Sequence, residues 1–218
     1  MLRKNWFVFV LLFFYLLFLC KDSILGFLDS SSNLPQFLMD TKTQYYQSEY
    51  QEMQKLLNIP SGDYSITYSK VLLRDIYHFY DEIVIGKGYI DGIQVQDLVV
   101  SELGVVGVIK EVQKHSSIVE LLTSPDLQLS VKINQSYGIL TCVDQKITVK
   151  NIKLDQEIQE GDLVYTSGLT SVVGDIPVGI VKKVNTDSLE LEYLLEVESI
   201  SNLQTISYVA VLGWESAS

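Results

Sequence analysis

Three regimes of hydrophobic and polar spacing follow one another along this chain. The first is Trp6 to Cys20, WFVFVLLFFYLLFLC, fifteen residues without a charge, a glycine or a proline. As a helix it would be roughly 22 Å long, and flanking residues must cover the rest of a ~30 Å hydrocarbon layer. Arg3 and Lys4 on one side and Lys21 on the other can snorkel to the headgroups, and Trp6 suits the interfacial belt. The pattern predicts a cytoplasmic tip and uncleaved anchor over 1–28, with the chain exported beyond about residue 25. A cleaved signal peptide is the rival, but Phe18-Leu19-Cys20-Lys21 lacks the small residues that a cleavage site needs.

The second regime, a linker and stalk over 29–63, is polar and tolerant of helix. Asp29-Ser30-Ser31-Ser32-Asn33 breaks the chain, and no glycine or proline interrupts residues 36 to 59. Met39, Thr43, Tyr46, Tyr50, Met53 and Leu57 recur at alternating steps of four and three, the spacing of a coiled-coil seam. Less than three heptads with two tyrosines and a threonine fits a lone amphipathic stalk helix equally well. Pro60-Ser61-Gly62-Asp63 ends the segment.

From residue 64 the period shortens to that of strands. Runs at 66–74, 84–85, 98–100, 105–106, 108–112, 118–122, 129–133, 147–150, 163–165 and 179–181 are separated by turn residues, and 206–212 adds a last one. In Ser188–Glu198, Leu189, Leu191, Tyr193, Leu195 and Val197 alternate with glutamates, as a strand with one wet face requires. This is also the candidate edge strand for pairing with another chain. Strands at this spacing predict a mainly β fold of two small barrels. A first barrel is expected over 64–122 and a second over 123–213, discontinuous if one is inserted in the other; 214–218 is a tail.

Charge narrows the partners. All 27 acids follow residue 21, against 13 of the bases, a balance of −14 for the exported part. That argues against nucleic acid and against a polybasic grip on anionic lipid. Cys142 is left without an intramolecular partner once Cys20 lies in the anchor. The exported domain therefore folds without disulfides, around a core of its own, with Cys142 as a small buried hydrophobe.

Candidate chemistry adds little. Gly88, Gly92, Gly161 and Gly168 sit where strands turn; Asp91-Gly92 and Gly161-Asp162 are turn pairs. Gly104 and Gly107 lie inside apolar runs and suit bulges or corners of a curved sheet. Pro177 belongs at an edge or at a strand's first residue, followed by Gly179. No Gly-Lys-Ser/Thr makes these glycines a nucleotide loop. His78, Asp91 or Asp97, and Ser167 stand in the chain order of a chymotrypsin-like double-barrel protease. Thr166-Ser167-Gly168, however, lacks the glycine-rich surroundings of that nucleophile loop. Two histidines and one cysteine cannot form a zinc site without carboxylates. The expectation is no catalytic residue, cofactor or metal.

Four pieces in order carry a resemblance: Lys70-Val-Leu-Leu-Arg-Asp75, Val84-Ile-Gly-Lys-Gly-Tyr-Ile-Asp-Gly92, and Gly104-Val-Val-Gly-Val-Ile109 with Val119-Glu-Leu-Leu-Thr-Ser124. The last is Gly161-Asp-Leu-Val-Tyr-Thr-Ser-Gly168 followed by Ile176-Pro-Val-Gly-Ile180. With the anchor and stalk, the chain resembles the rod-shape-determining MreC family. The resemblance implies a non-enzymatic, self-associating scaffold of cell elongation. It implies binding to a class B penicillin-binding protein through the β-domains, to MreD near the anchor, and an indirect link to the actin-like filament MreB. The stalk is shorter than the family's long coiled coil. A membrane-tethered protease, marked by loss of cleavage in Ser167→Ala, and a ligand-sensing ectodomain with a concave apolar pocket are the other readings.

Overall fold

The computed structural model describes residues 15, 36–56, 59, 64–74, 81–154, 157–169, 172–186 and 192–214. The expected anchor lies outside these residues apart from Tyr15, and among them no helix is long and apolar enough to cross a membrane. The chain falls into two compact units, Met1–Ser48 and Glu49–Ser218. The division lies within a helix, α1 (Gln36–Leu56), whose residues include no glycine or proline. Tyr46, Tyr50 and Met53 of the expected seam are exposed on it. The side chains of Met39 and Thr43, and all of Leu57, lie outside the described residues.

Among the described residues, Glu49–Ser218 holds twelve strands in two closed six-stranded barrels. The strands are β1 (Tyr64–Leu73), β2 (Glu82–Ile85), β3 (Leu98–Val100), β4 (Val105–Val112), β5 (Ser117–Leu121) and β6 (Leu129–Ile133). They continue as β7 (Ser136–Val143), β8 (Lys146–Lys153), β9 (Leu163–Thr166), β10 (Pro177–Thr186), β11 (Glu192–Ser199) and β12 (Tyr208–Trp214). The first barrel runs β1-β12-β3-β4-β5-β2 and the second β10-β11-β8-β7-β6-β9. The division at 122 is therefore corrected at one end: β12 pairs with β1 and β3, so the second barrel is an insertion between β5 and β12. Two long-range pairings, of β12 with β1 and of β12 with β3, close the first barrel, and no local pattern encodes those partners.

The expected edge strand is also corrected. β11 pairs with β10 on one side and β8 on the other, and closure of the barrel leaves it no free edge. Its alternation holds where it is described: Leu195 and Val197 are buried, Tyr193 packs against the core, and Glu196 and Glu198 face outward. Leu189 and Leu191 lie outside the described residues.

The two barrels repeat one another. In the first, Val99 faces Gly107 and Leu98 faces Val108; in the second, Val164 faces Gly179 and Leu163 faces Ile180. The ladder slips at the same steps, between Val99 and Val100 in one and between Pro177 and Gly179 in the other. A second slip falls at Lys110 in β4 and at Lys182 in β10. Each of those lysines bridges to the same relative glutamate, Lys110 to Glu120 at 3.5 Å and Lys182 to Glu198 at 3.2 Å. Matching β3, β4 and β5 to β9, β10 and β11 makes β1 the counterpart of β7 and β12 that of β6. The first barrel is thus a circular permutation of the second, with its opening strand moved to the end of the chain. The sequence carries the trace in Ile93-Gln-Val-Gln-Asp-Leu-Val99 against Ile158-Gln-Glu-Gly-Asp-Leu-Val164, and in Val106-Gly-Val-Ile-Lys110 against Val178-Gly-Ile-Val-Lys182.

Candidate docking site

The repeated turns are built by carboxylates. Asp97 Oδ2 accepts the Gln94 N–H at 2.8 Å, and Asp162 Oδ2 accepts the Gln159 N–H at 2.9 Å. Gln96 at φ 73 and Gly161 at φ 98 hold the same left-handed position just before each aspartate. The Gln96 and Gly161 N–H groups then reach Ile109 O and Val181 O, each at 2.8 Å. Asp162 also accepts from Asn134 Nδ2 at 3.1 Å. Asp97 is nearly buried, and desolvation pushes its carboxyl above the ordinary range against the opposing Gln94 hydrogen bond.

Asp91 closes a different turn. Its carboxylate takes Lys87 Nζ at 2.7 Å and the Gly88 N–H at 3.1 Å, and these bonds hold its pKa down. Gly92 follows at φ 88. Gly88 is needed for space rather than for positive φ: its φ is −139, and a Cβ there would lie 2.2 Å from Gln113 O. Gly107 lies at the predicted bulge, where a Cβ would be 1.9 Å from Glu120 O. Gly168 turns at φ 69. Pro177 opens β10, as its missing N–H favours.

Gly104 does more than bend a sheet, because it is where the barrels touch. A Cβ would meet Pro177 O at 2.2 Å and Ile200 Cδ1 at 2.9 Å. Around it, Ile200 N–H donates to Val178 O at 3.3 Å, and the Ser101 and Ser201 hydroxyls bond at 2.8 Å. Arg74 Nη2 donates to Leu203 O at 2.6 Å on the strand-to-strand return. A cleft of about 520 Å3 opens at this junction, lined by Ile59, Tyr64, Val100, Leu103, Ile176 and Pro177. Lys55 and Glu102 also line it and pair at 3.1 Å.

The protease triad finds no support in the geometry of Ser167. Its hydroxyl donates to Ser130 Oγ at 2.8 Å and accepts the Leu169 N–H at 3.1 Å, which are the bonds of a turn. His78 lies outside the described residues. Among the described residues no group of three His, Cys, Asp or Glu is placed to hold a metal ion. Cys142 is buried, and desolvation raises its thiol pKa.

Twelve strands in this order already narrow the possibilities, and comparison decides. A family model described as "Rod shape-determining protein MreC, barrel core" matches residues 71–213, which span both barrels. The chain belongs to the MreC family. It is 26% identical to the cell shape-determining protein MreC of Listeria monocytogenes over 188 residues, 80% of this chain and 63% of the relative. It is 29% identical to that of Haemophilus influenzae over 175 residues, 77% of this chain and 49% of the relative. The chain thus spans about half to two thirds of the length of these curated MreC relatives. A solved Listeria MreC superposes with a TM-score of 0.67 at 24% identity, covering 82% of this chain and 90% of that one. MreC in a solved complex between PBP2 and MreC from Helicobacter pylori superposes at 0.55 and 20% identity, covering 67% of this chain and 98% of that one. The fold is shared with both.

Proposed function

We propose that this chain is a non-catalytic, membrane-anchored scaffold of the bacterial elongation machinery that maintains cell shape. The observation that carries the reading is the MreC match across both barrels, residues 71–213, among relatives named for cell shape. Residues 1–28 anchor the chain with its tip in the cytoplasm, α1 serves as a stalk that self-associates, and the barrels stand outside as a rigid docking body. A class B penicillin-binding protein binds the barrels, a partner supported by the Helicobacter pylori complex of PBP2 with MreC. MreD binds near the anchor, and through it the scaffold couples to the actin-like filament MreB. A barrel without free edges presents faces and loops to these partners rather than strands to be extended.

Deletion of the gene tests the reading: rod-shaped cells become round, the full chain restores them, and a chain lacking residues 1–28 does not. Cells that stay rod-shaped after deletion overturn it.

A further inference from the structure

The repeat supplies an internal comparison of outer faces. Tyr68, Ala210, Val100 and Val105 form one row across β1, β12, β3 and β4. Their counterparts across β7, β6, β9 and β10 are Tyr137, Lys132, Tyr165 and Pro177. One step along, Lys70 of β1 corresponds to Ile139 of β7. On the first barrel most of this face is buried, although Lys70 is exposed. Lys70 Nζ pairs with Glu49 of α1 at 2.7 Å, and Ile59 just beyond the helix packs on the core beside Val100 and Leu212. Ala210, Val100 and Leu212 are at most 2% exposed. On the second barrel the corresponding strand is bare: Tyr137 is 52% exposed and Val143 44%.

The bare row is also framed by charge. β7 points Ser136, Gly138, Leu140 and Cys142 inward, leaving Tyr137, Ile139, Thr141 and Val143 outside. Across the ladder, Ile139 faces Lys150 and Val143 faces Lys146, so an apolar stripe runs beside a basic one. Both lysines are exposed, on a chain whose net charge is −11. Lys146 reaches Glu196 only at 3.5 Å. Adjacent apolar and cationic rows on one outer face are complementary to a helix with aliphatic residues along one line and carboxylates beside it.

We propose that the outer face of β7 and β8 docks an amphipathic helix of a partner protein, aliphatic side chains on Tyr137, Ile139 and Val143 and carboxylates on Lys146 and Lys150. One contact of this kind is present on the first barrel, where Glu49 of α1 meets Lys70 of β1 at 2.7 Å. The proposal rests on the scaffold reading and gives the partner's docking element a chemistry.

The test uses the full chain in its own membrane with a photo-cross-linking phenylalanine analogue replacing Ile139, and Glu157 replaced in parallel as a control for random collision. Mass spectrometry sequences the adduct. The expected result is an adduct to a helical segment of a different protein, with acidic residues three or four positions from its aliphatic ones. In Lys146→Glu, Lys150→Glu its yield falls about tenfold, since two attractive charge pairs become repulsive. An adduct to a second copy of this chain, to a segment without carboxylates, or no more adduct than at position 157 overturns the proposal. So does a yield unchanged by the charge reversal. Both lysines are exposed, so the reversed chain folds, and an unchanged melting temperature verifies it. Failure here with cell shape still dependent on the gene removes this surface and leaves the scaffold standing; rod-shaped deletion cells would remove the scaffold itself.

Discussion

Replacing Gly107 with alanine tests whether space, rather than backbone freedom, places glycine in the strands. The added Cβ would stand 1.9 Å from Glu120 O, against 3.4 Å or more for ordinary contact. β4 and β5 would therefore have to part by roughly 1.5 Å, about a third of the normal strand spacing. Overpacking of this kind costs ~1–3 kcal/mol, and a lost ladder hydrogen bond adds ~1 kcal/mol. The expected loss is about 2–4 kcal/mol, or roughly 5–15 °C in melting temperature for a body of this size. Gly161→Ala is the contrast: it meets no atom within 4 Å, and its penalty is confined to φ 98, ~1–2 kcal/mol. Thermal unfolding of residues 30–218, followed by near-ultraviolet circular dichroism, ranks the two. The reasoning is refuted if Gly107→Ala melts within 2 °C of the parent protein, on a scale where ~1 kcal/mol moves the midpoint by 2–4 °C, or above Gly161→Ala.

Asp97 carries a raised carboxyl pKa, so its proton binds the folded state more tightly than the unfolded one. Stability relative to Asp97→Asn should fall as pH rises from the ordinary aspartate value, about 3.9, through the raised one, and denaturant titrations across pH 3 to 7 would read it. An offset between the two proteins that stays flat over that window would contradict the burial argument. Cys142 should react with a thiol reagent only after denaturation, because its sulfur is buried and desolvation keeps the thiol protonated; rapid labelling of the folded protein would show the barrel open there. Leu195→Ala should cost ~2–5 kcal/mol as a cavity in the second barrel, measured by urea unfolding. A near-neutral result would place that side chain outside the core.

The alternation of Tyr193–Glu198, the bulge at Gly107 and the turns at Gly92, Gly161 and Gly168 were all legible in the sequence, because each depends on a period of two or on the φ of one residue. β7 was not. Ser136 and Gly138 share its inner face with Leu140 and Cys142 while Tyr137, Ile139 and Val143 stand outside, so no apolar–polar alternation marks the strand. Gly138 is there because a Cβ would lie 2.7 Å from Val149 Cγ1, a demand set by the neighbouring strand. The outward apolar residues that blur the alternation are those assigned to a partner, so the docking face was hidden with the strand that bears it. The paired motifs at Gln94–Val99 and Gln159–Val164 were present to be seen, but permutation of the first barrel separated its matching strands across the chain.

The sequence by itself determined that this is a protein of short strands, and which residues turn them, since hydrophobic period and glycine act over a few neighbours. Tertiary structure alone decided that β12 returns to close the first barrel, that β11 has no edge, and that Gly104 meets Pro177. Those outcomes depend on pairings between residues far apart in the chain, whose energies arise only once the strands are side by side.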